Sequence, residues 1–151
     1  MKSKFLFFLM GLGALLFCTR LFAGESAFNV SLLGRVALHG YDPVSYFEGA
    51  PAEGKSQFTV EWSGAKWRFT SQEHADKFKA NPEAFAPQFG GYCAWAVSEG
   101  YTADVDPEAW DIVDGRLYLN YNKEVQKKWR QDRDQRIQTG MRNWPDLSSK
   151  K

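Results

Sequence analysis

Thiol and imidazole groups are scarce in this chain. Its 151 residues contain two cysteines, Cys18 and Cys93, and two histidines, His39 and His74. Two cysteines allow at most one disulfide, so a framework of several bridges is excluded. Charge of one sign is lacking as well: 19 Lys and Arg face 18 Asp and Glu, a formal net charge of +1. A nucleic-acid interface needs a concentrated basic stripe, so nucleic acid is not an expected partner. The sequence has no G-x-S-x-G elbow, no H-E-x-x-H pair and no phosphate loop. Those are the usual local marks of hydrolytic, zinc-dependent and nucleotide chemistry, and an enzyme is not expected. Internal repeats and low-complexity linkers are also missing.

Long apolar runs are missing too. The longest, FLFFLMGLGALLF from Phe5 to Phe17, has 13 residues, short of the ~20 that span a bilayer as a helix. It follows the basic MKSK and precedes LFAG. That layout predicts a secretory signal over residues 1–23, cut after Ala23. An alternative makes Cys18 the acylated residue of a lipoprotein, although Phe17 is bulky for the position before it. Export places the protein in the periplasm or outside the cell, and the membrane is then a partner only during export. Removing the leader takes three of the 19 basic residues and none of the 18 acidic ones, leaving a net charge of two negative. It also takes Cys18. Cys93 is then alone, and no internal disulfide can form even where one would persist.

Aromatic residues are abundant at 16%, with six Trp, six Tyr and twelve Phe. Large rings let a short chain bury a sizeable core, which argues against disorder. Glu25 to Leu38 reads as extended, within a lead-in over residues 24–39. Asp42 before Pro43 suits a helix cap and first helical position, predicting a short turn through Tyr46. SQFTVEW sets Phe58, Val60 and Trp62 on one face, SGA turns the chain, and KWRFT returns Trp67 and Phe69. That is a hairpin by period and turn chemistry. Ser71 caps QEHADKFKA, and Asn81-Pro82 starts PEAFAPQF. GGYCAWAVSEG reads as a further helix closed by Gly100. AWDIV and RLYLNY flank Asp114-Gly115, the strongest short turn signal in the chain. A long helix from about Asn122 carries Val125, Trp129, Ile137 and Met141 on a sparse stripe and stops at Pro145. Two hairpins interleaved with helices predict a small α+β domain over residues 40–121, with the helix of residues 122–147 packed on it.

GYDPVSYF, the hairpin ending in WRFTS, the helix with Phe78 before NPEAF, and FGGYCAWAV occur in that order. Together they resemble the YHS-domain family, and its small exported members most. The core resemblance covers residues 40–89, and the exported pattern runs on through DGRLYLNYN to about NWPDL. The resemblance implies a compact module. Better-studied forms carry cysteines after DPV and in an F-C-S-x-x-C segment. They occur beside copper-transporting pumps and some metallo-oxygenases, which implies metal sensing or delivery. This chain departs at each position: Ser45 follows DPV, and Thr70 and His74 stand at the two cysteines of the second segment.

The candidate metal ligands are therefore His39, His74 and Cys93, groups that suit copper first and zinc second. Their spacing matches no local motif, so only the fold could gather them. Cys93 has two further readings: a small packed side chain, or a reactive thiol at a helix start, for which a Cys93–His74 pair would serve. Tyr41, Tyr46, Trp67, Tyr92 and Trp95 could line a pocket for a small molecule, the metal-free alternative. Asp104, Asp106, Glu108, Asp111 and Asp114 read as caps and turns rather than a calcium loop. Lys123 to Arg136 mixes both signs, with Glu124 and Lys128 as an i,i+4 pair. It reads as a solvated face, with a protein partner as the alternative.

Overall fold

The computed structural model describes residues 27–151. The expected leader of residues 1–23, its cleavage site and Cys18 lie outside the described residues. The chain folds as a small α+β domain, as the interleaved hairpins and helices predict. Strands β1 (Lys55–Trp62) and β2 (Ala65–Phe69) pair antiparallel, and so do β3 (Asp106–Val113) and β4 (Arg116–Asn120). Both turns need two consecutive left-handed residues. Ser63 and Gly64 lie at φ 52° and 73°, and Asp114 and Gly115 at 50° and 71°. That geometry matches the twist of the flanking strands. Val60 faces Trp67 and Ile112 faces Leu117 across the two ladders.

The helices are α1 (Gln72–Ala80), α2 (Pro82–Phe85), α3 (Ala94–Ser98), α4 (Lys123–Trp129) and α5 (Arg133–Ser148). Ser71 accepts the His74 amide and Asn122 accepts the Val125 amide, so α1 and α4 begin on side-chain caps. The Asp42-Pro43 turn leads into a short 3-10 segment, Ser45–Glu48.

Two clusters form the core. Trp67, Phe69 and Phe78 centre the first, and Phe89, Val97, Tyr118 and Trp129 the second. Strand β4 lies between them: Leu117 and Leu119 face the first cluster, Tyr118 the second. Alternate side chains leave a strand on opposite faces, so this one strand is buried on both.

Four local expectations are corrected. The lead-in is not simply extended, because Val30 bridges Ala37 and Val36 bridges Lys66. The last helix is two helices. Trp129 turns fully into the core, and Asp132, with φ −132° and ψ 33°, restarts the chain at α5. Pro145 does not stop α5 but lies inside it. The ring removes the donor owed to the Met141 carbonyl, at a residue that is 47% exposed. The helix at Cys93 is also shorter than predicted, because Phe89, Gly90 and Gly91 take φ 53°, 60° and 77°. Gly100 closes it at φ 89°, as expected.

Candidate functional site

The three positions that the family resemblance assigns to metal converge on one buried carboxylate, Asp42. Its Oδ1 accepts the Val44 amide at 2.8 Å and the Ser45 amide at 3.4 Å. Its Oδ2 accepts the Thr70 amide and the Thr70 hydroxyl, both at 2.8 Å, and faces His74 Nδ1 at 2.7 Å. A carboxylate only accepts, so Nδ1 is a donating nitrogen of the ring. Ser45 Oγ donates to the Asp42 carbonyl at 2.6 Å and accepts the Ala52 amide at 3.1 Å. The outer nitrogen of His74, Nε2, lies 3.2 Å from Glu48, whose carboxylate also meets Lys77 at 3.8 Å. Asp42 is wholly buried. Burying a carboxylate without partners is prohibitively costly, so this convergence of donors is what lets it sit there. It ties the DPV turn to the start of α1.

This donor set does not fit a soft metal. A soft ion wants thiolate or imidazole lone pairs. Here two of the three positions are hydroxyls, and both are committed to Asp42. Among the described residues no group of three His, Cys, Asp or Glu side chains is arranged to hold a metal. The expected centre of His39, His74 and Cys93 does not form. His39, at φ 52°, points Nε2 at Asp104 at 2.8 Å on the surface. Cys93 lies buried at the start of α3, 3.8 Å from Asn120 Oδ1. The nitrogens of His74 face Asp42 and Glu48, not a thiol.

Burial pushes the Cys93 thiol above its ordinary value, outweighing amide bonds from Ala96, Tyr121 and Trp95 that favour the thiolate. The packed-residue reading is the one that fits. Of the acidic run, Asp106 caps the Glu108 amide and Asp111 binds Gln126 and Arg130.

The five rings named as a pocket do not assemble. Tyr46 and Trp67 are core residues. Tyr46 donates to the Pro107 carbonyl at 2.9 Å and stacks edge-on against Trp110. Tyr92 lies beside Trp144, and Trp95 lies beneath the Arg136 guanidinium. Tyr41 is half-buried where it bridges Glu53.

A different aromatic groove exists, of about 420 Å³. Phe28, Trp62, Phe89, Met141 and Trp144 form its walls, with Glu83, Gln88 and Arg116 at its polar edge. Its floor is FGG. Left-handed Phe89 is a strained conformation for a residue with a side chain. Gly90 must be glycine, because a Cβ there would lie 2.2 Å from the Ala27 carbonyl and 3.0 Å from Trp144. Asn29 donates its amide to the Gly90 carbonyl at 2.7 Å, which holds the entering chain against the groove. Sequence reasoning missed this site because its lining comes from five distant segments. Only the doubled glycine after Phe89 signalled a close approach.

The fold and this groove define a small α+β module with an aromatic-walled cleft. No family model, no curated protein and no solved structure matches the chain.

Proposed function

We propose that this protein is an exported, metal-free binding module of YHS type whose groove holds an apolar small molecule with an anionic end. The observation that carries the reading is the groove itself. Its volume of about 420 Å³ falls in the ~300–1,000 Å³ range of small-molecule sites. Its walls are four rings and Met141, and its floor is a strained backbone that a plain packing role would not require. Arg116 binds Gln88 Oε1 at 3.3 Å and makes no ion pair among the described residues, so its charge is available to a ligand. Metal delivery, the other expectation, has weaker support because Asp42 occupies the donors it would need.

The test uses 1-anilinonaphthalene-8-sulfonate, an aromatic anion, titrated against the native protein. Saturable binding that quenches tryptophan emission is expected, weakened by Trp144→Ala and, separately, by Arg116→Gln. Equal binding in all three proteins would defeat the groove reading. The same sample titrated with copper and zinc provides the contrast: stoichiometric uptake that disappears in His74→Ala would transfer the function to metal.

A further inference from the structure

Resting on the groove reading above, we infer that the ligand is an aromatic zwitterion, a ring system carrying both a carboxylate and an ammonium, as free aromatic amino acids and short aromatic peptides do. The anionic end thus gains a cationic companion. Two opposite charges on the polar edge of the groove do not neutralise each other. Arg116 and Glu83 both line the cleft of about 420 Å³, and both are exposed. Among the described residues neither makes an ion pair. Arg116 opens β4, opposite Val113, and its guanidinium is held by Gln88 Oε1 at 3.3 Å. Glu83 stands in the first turn of α2. Nearby charges do not cancel them. Lys79 lies against Asp76 at 3.7 Å, and Asp114, two positions before Arg116, makes no ion pair with it.

Opposite charges set on separate elements and kept from meeting form a dipole, and its complement is a ligand carrying the reverse one. The carboxylate belongs at Arg116, whose planar fork suits it, with the amide hydrogens of Gln88 beside it. The ammonium belongs at Glu83. Between the two ends the walls are Phe28, Trp62, Phe89 and Trp144, with Met141. Rings favour ring edges and offset faces, and a thioether favours them too. Trp62 and Trp144 are half-buried, so each keeps ring surface for a ligand, its cation included. A wholly apolar ligand would leave both charges without partners. An anion with no cationic group would meet the like charge of Glu83.

The test is calorimetric titration of the native protein with L-phenylalanyl-L-phenylalanine, with its N-acetyl form, which has lost the cation, and with its C-terminal amide, which has lost the anion. Free L-phenylalanine runs beside them, and the tighter of the two unblocked ligands tells amino acid from peptide as the source. The free dipeptide should bind about fivefold tighter than either blocked form, the upper end of what one ion pair open to water contributes. Glu83→Gln should lose the preference over the N-acetyl form and keep that over the amide, and Arg116→Gln should do the reverse. Both side chains are exposed, so both variants should keep the circular dichroism of the parent. Blocked forms that bind as tightly as the free dipeptide overturn the inference, as does a preference that both variants retain. If the anilinonaphthalene sulfonate binds and Trp144→Ala weakens it, yet no phenylalanine ligand binds, the zwitterion falls and the groove reading stands. If neither probe binds, both fall. Dimerisation that Trp144→Ala abolishes, with no peptide bound, would assign the cleft to a second copy of this chain and overturn the inference.

Discussion

Replacing Gly140 by alanine tests how closely α5 is fitted to the floor of the groove. In an exposed helix the change stabilises by about 1 kcal/mol, because glycine has the greater freedom to lose. Here the helix touches a ring. An added Cβ would lie 2.7 Å from Phe89 Cζ, 3.1 Å from Cε2 and 3.4 Å from Cε1. Phe89 has little room to withdraw. Its backbone is left-handed, Gly90 closes on the Ala27 carbonyl behind it, and its ring packs against Tyr118 and Trp144. Overpacking of this kind costs about 1–3 kcal/mol. Set against the helix gain, the net change is a loss of roughly 0–2 kcal/mol, centred near 1 kcal/mol. Urea unfolding followed by tryptophan fluorescence should show a lower midpoint with an unchanged slope. Phe89→Leu in the same protein should recover part of the loss, since the methyl then meets no ring edge. A Gly140→Ala midpoint higher than the parent's would refute the reasoning, for it would mean that Phe89 yields freely and that the floor is not strained into place.

Two further predictions concern buried groups. Asp42→Asn turns an amide nitrogen toward donors that now meet oxygen, and should destabilise by about 3 kcal/mol, since bonds to a charged acceptor are each worth about 1.5–3; a loss under about 1 kcal/mol in urea would show that Asp42 is not the hub of its turn. For Cys93, burial raises the folded-state value above that of the unfolded chain, so the folded state holds the proton more tightly. That contribution is complete below the ordinary thiol value of 9.0 and is lost as pH rises through the higher folded value. Cys93→Ala should therefore flatten the alkaline fall in stability, and native Cys93 should resist iodoacetamide at neutral pH. Burial moves Tyr46 in the same direction, so part of the fall should remain.

Local chemistry made the hairpins, the α1 cap and the Gly100 stop legible, because each is decided by a few adjacent residues. Ser-Gly and Asp-Gly specify left-handed turns wherever they fall between strands. The break between α4 and α5 was not legible. The stripe of Val125, Trp129, Ile137 and Met141 is consistent with one helix, and only the depth to which Trp129 is buried ends it. Pro145 was misread for a related reason: a missing donor is costly only where the carbonyl it leaves is buried. The groove was invisible because Trp62 and Trp144 are 82 positions apart in the sequence. The candidate metal residues were read by element type, and element type does not say which hydrogens a neighbour will claim.

The family resemblance supplies the ligand positions, and the structure supplies their polarity. A metal centre needs lone pairs converging on a cation. Ser45, Thr70 and His74 instead turn hydrogens toward Asp42, at its carbonyl and at its carboxylate. The donors converge on an anion, the opposite electrostatic sense to a metal centre. Restoring two thiols should therefore not restore metal binding while Asp42 stays. In Ser45→Cys/Thr70→Cys the weakly donating S–H groups would serve Asp42 less well, at a cost of about 2 kcal/mol for two hydrogen bonds. His74 Nδ1 would remain tied to the carboxylate. Thermal unfolding of this variant with and without equimolar zinc separates the alternatives. The expected midpoint is lower than the parent's and insensitive to zinc. Recovery by zinc would mean that the thiols and His74 can turn from Asp42 to a cation, and that placement, rather than the carboxylate beneath it, decides what this site holds.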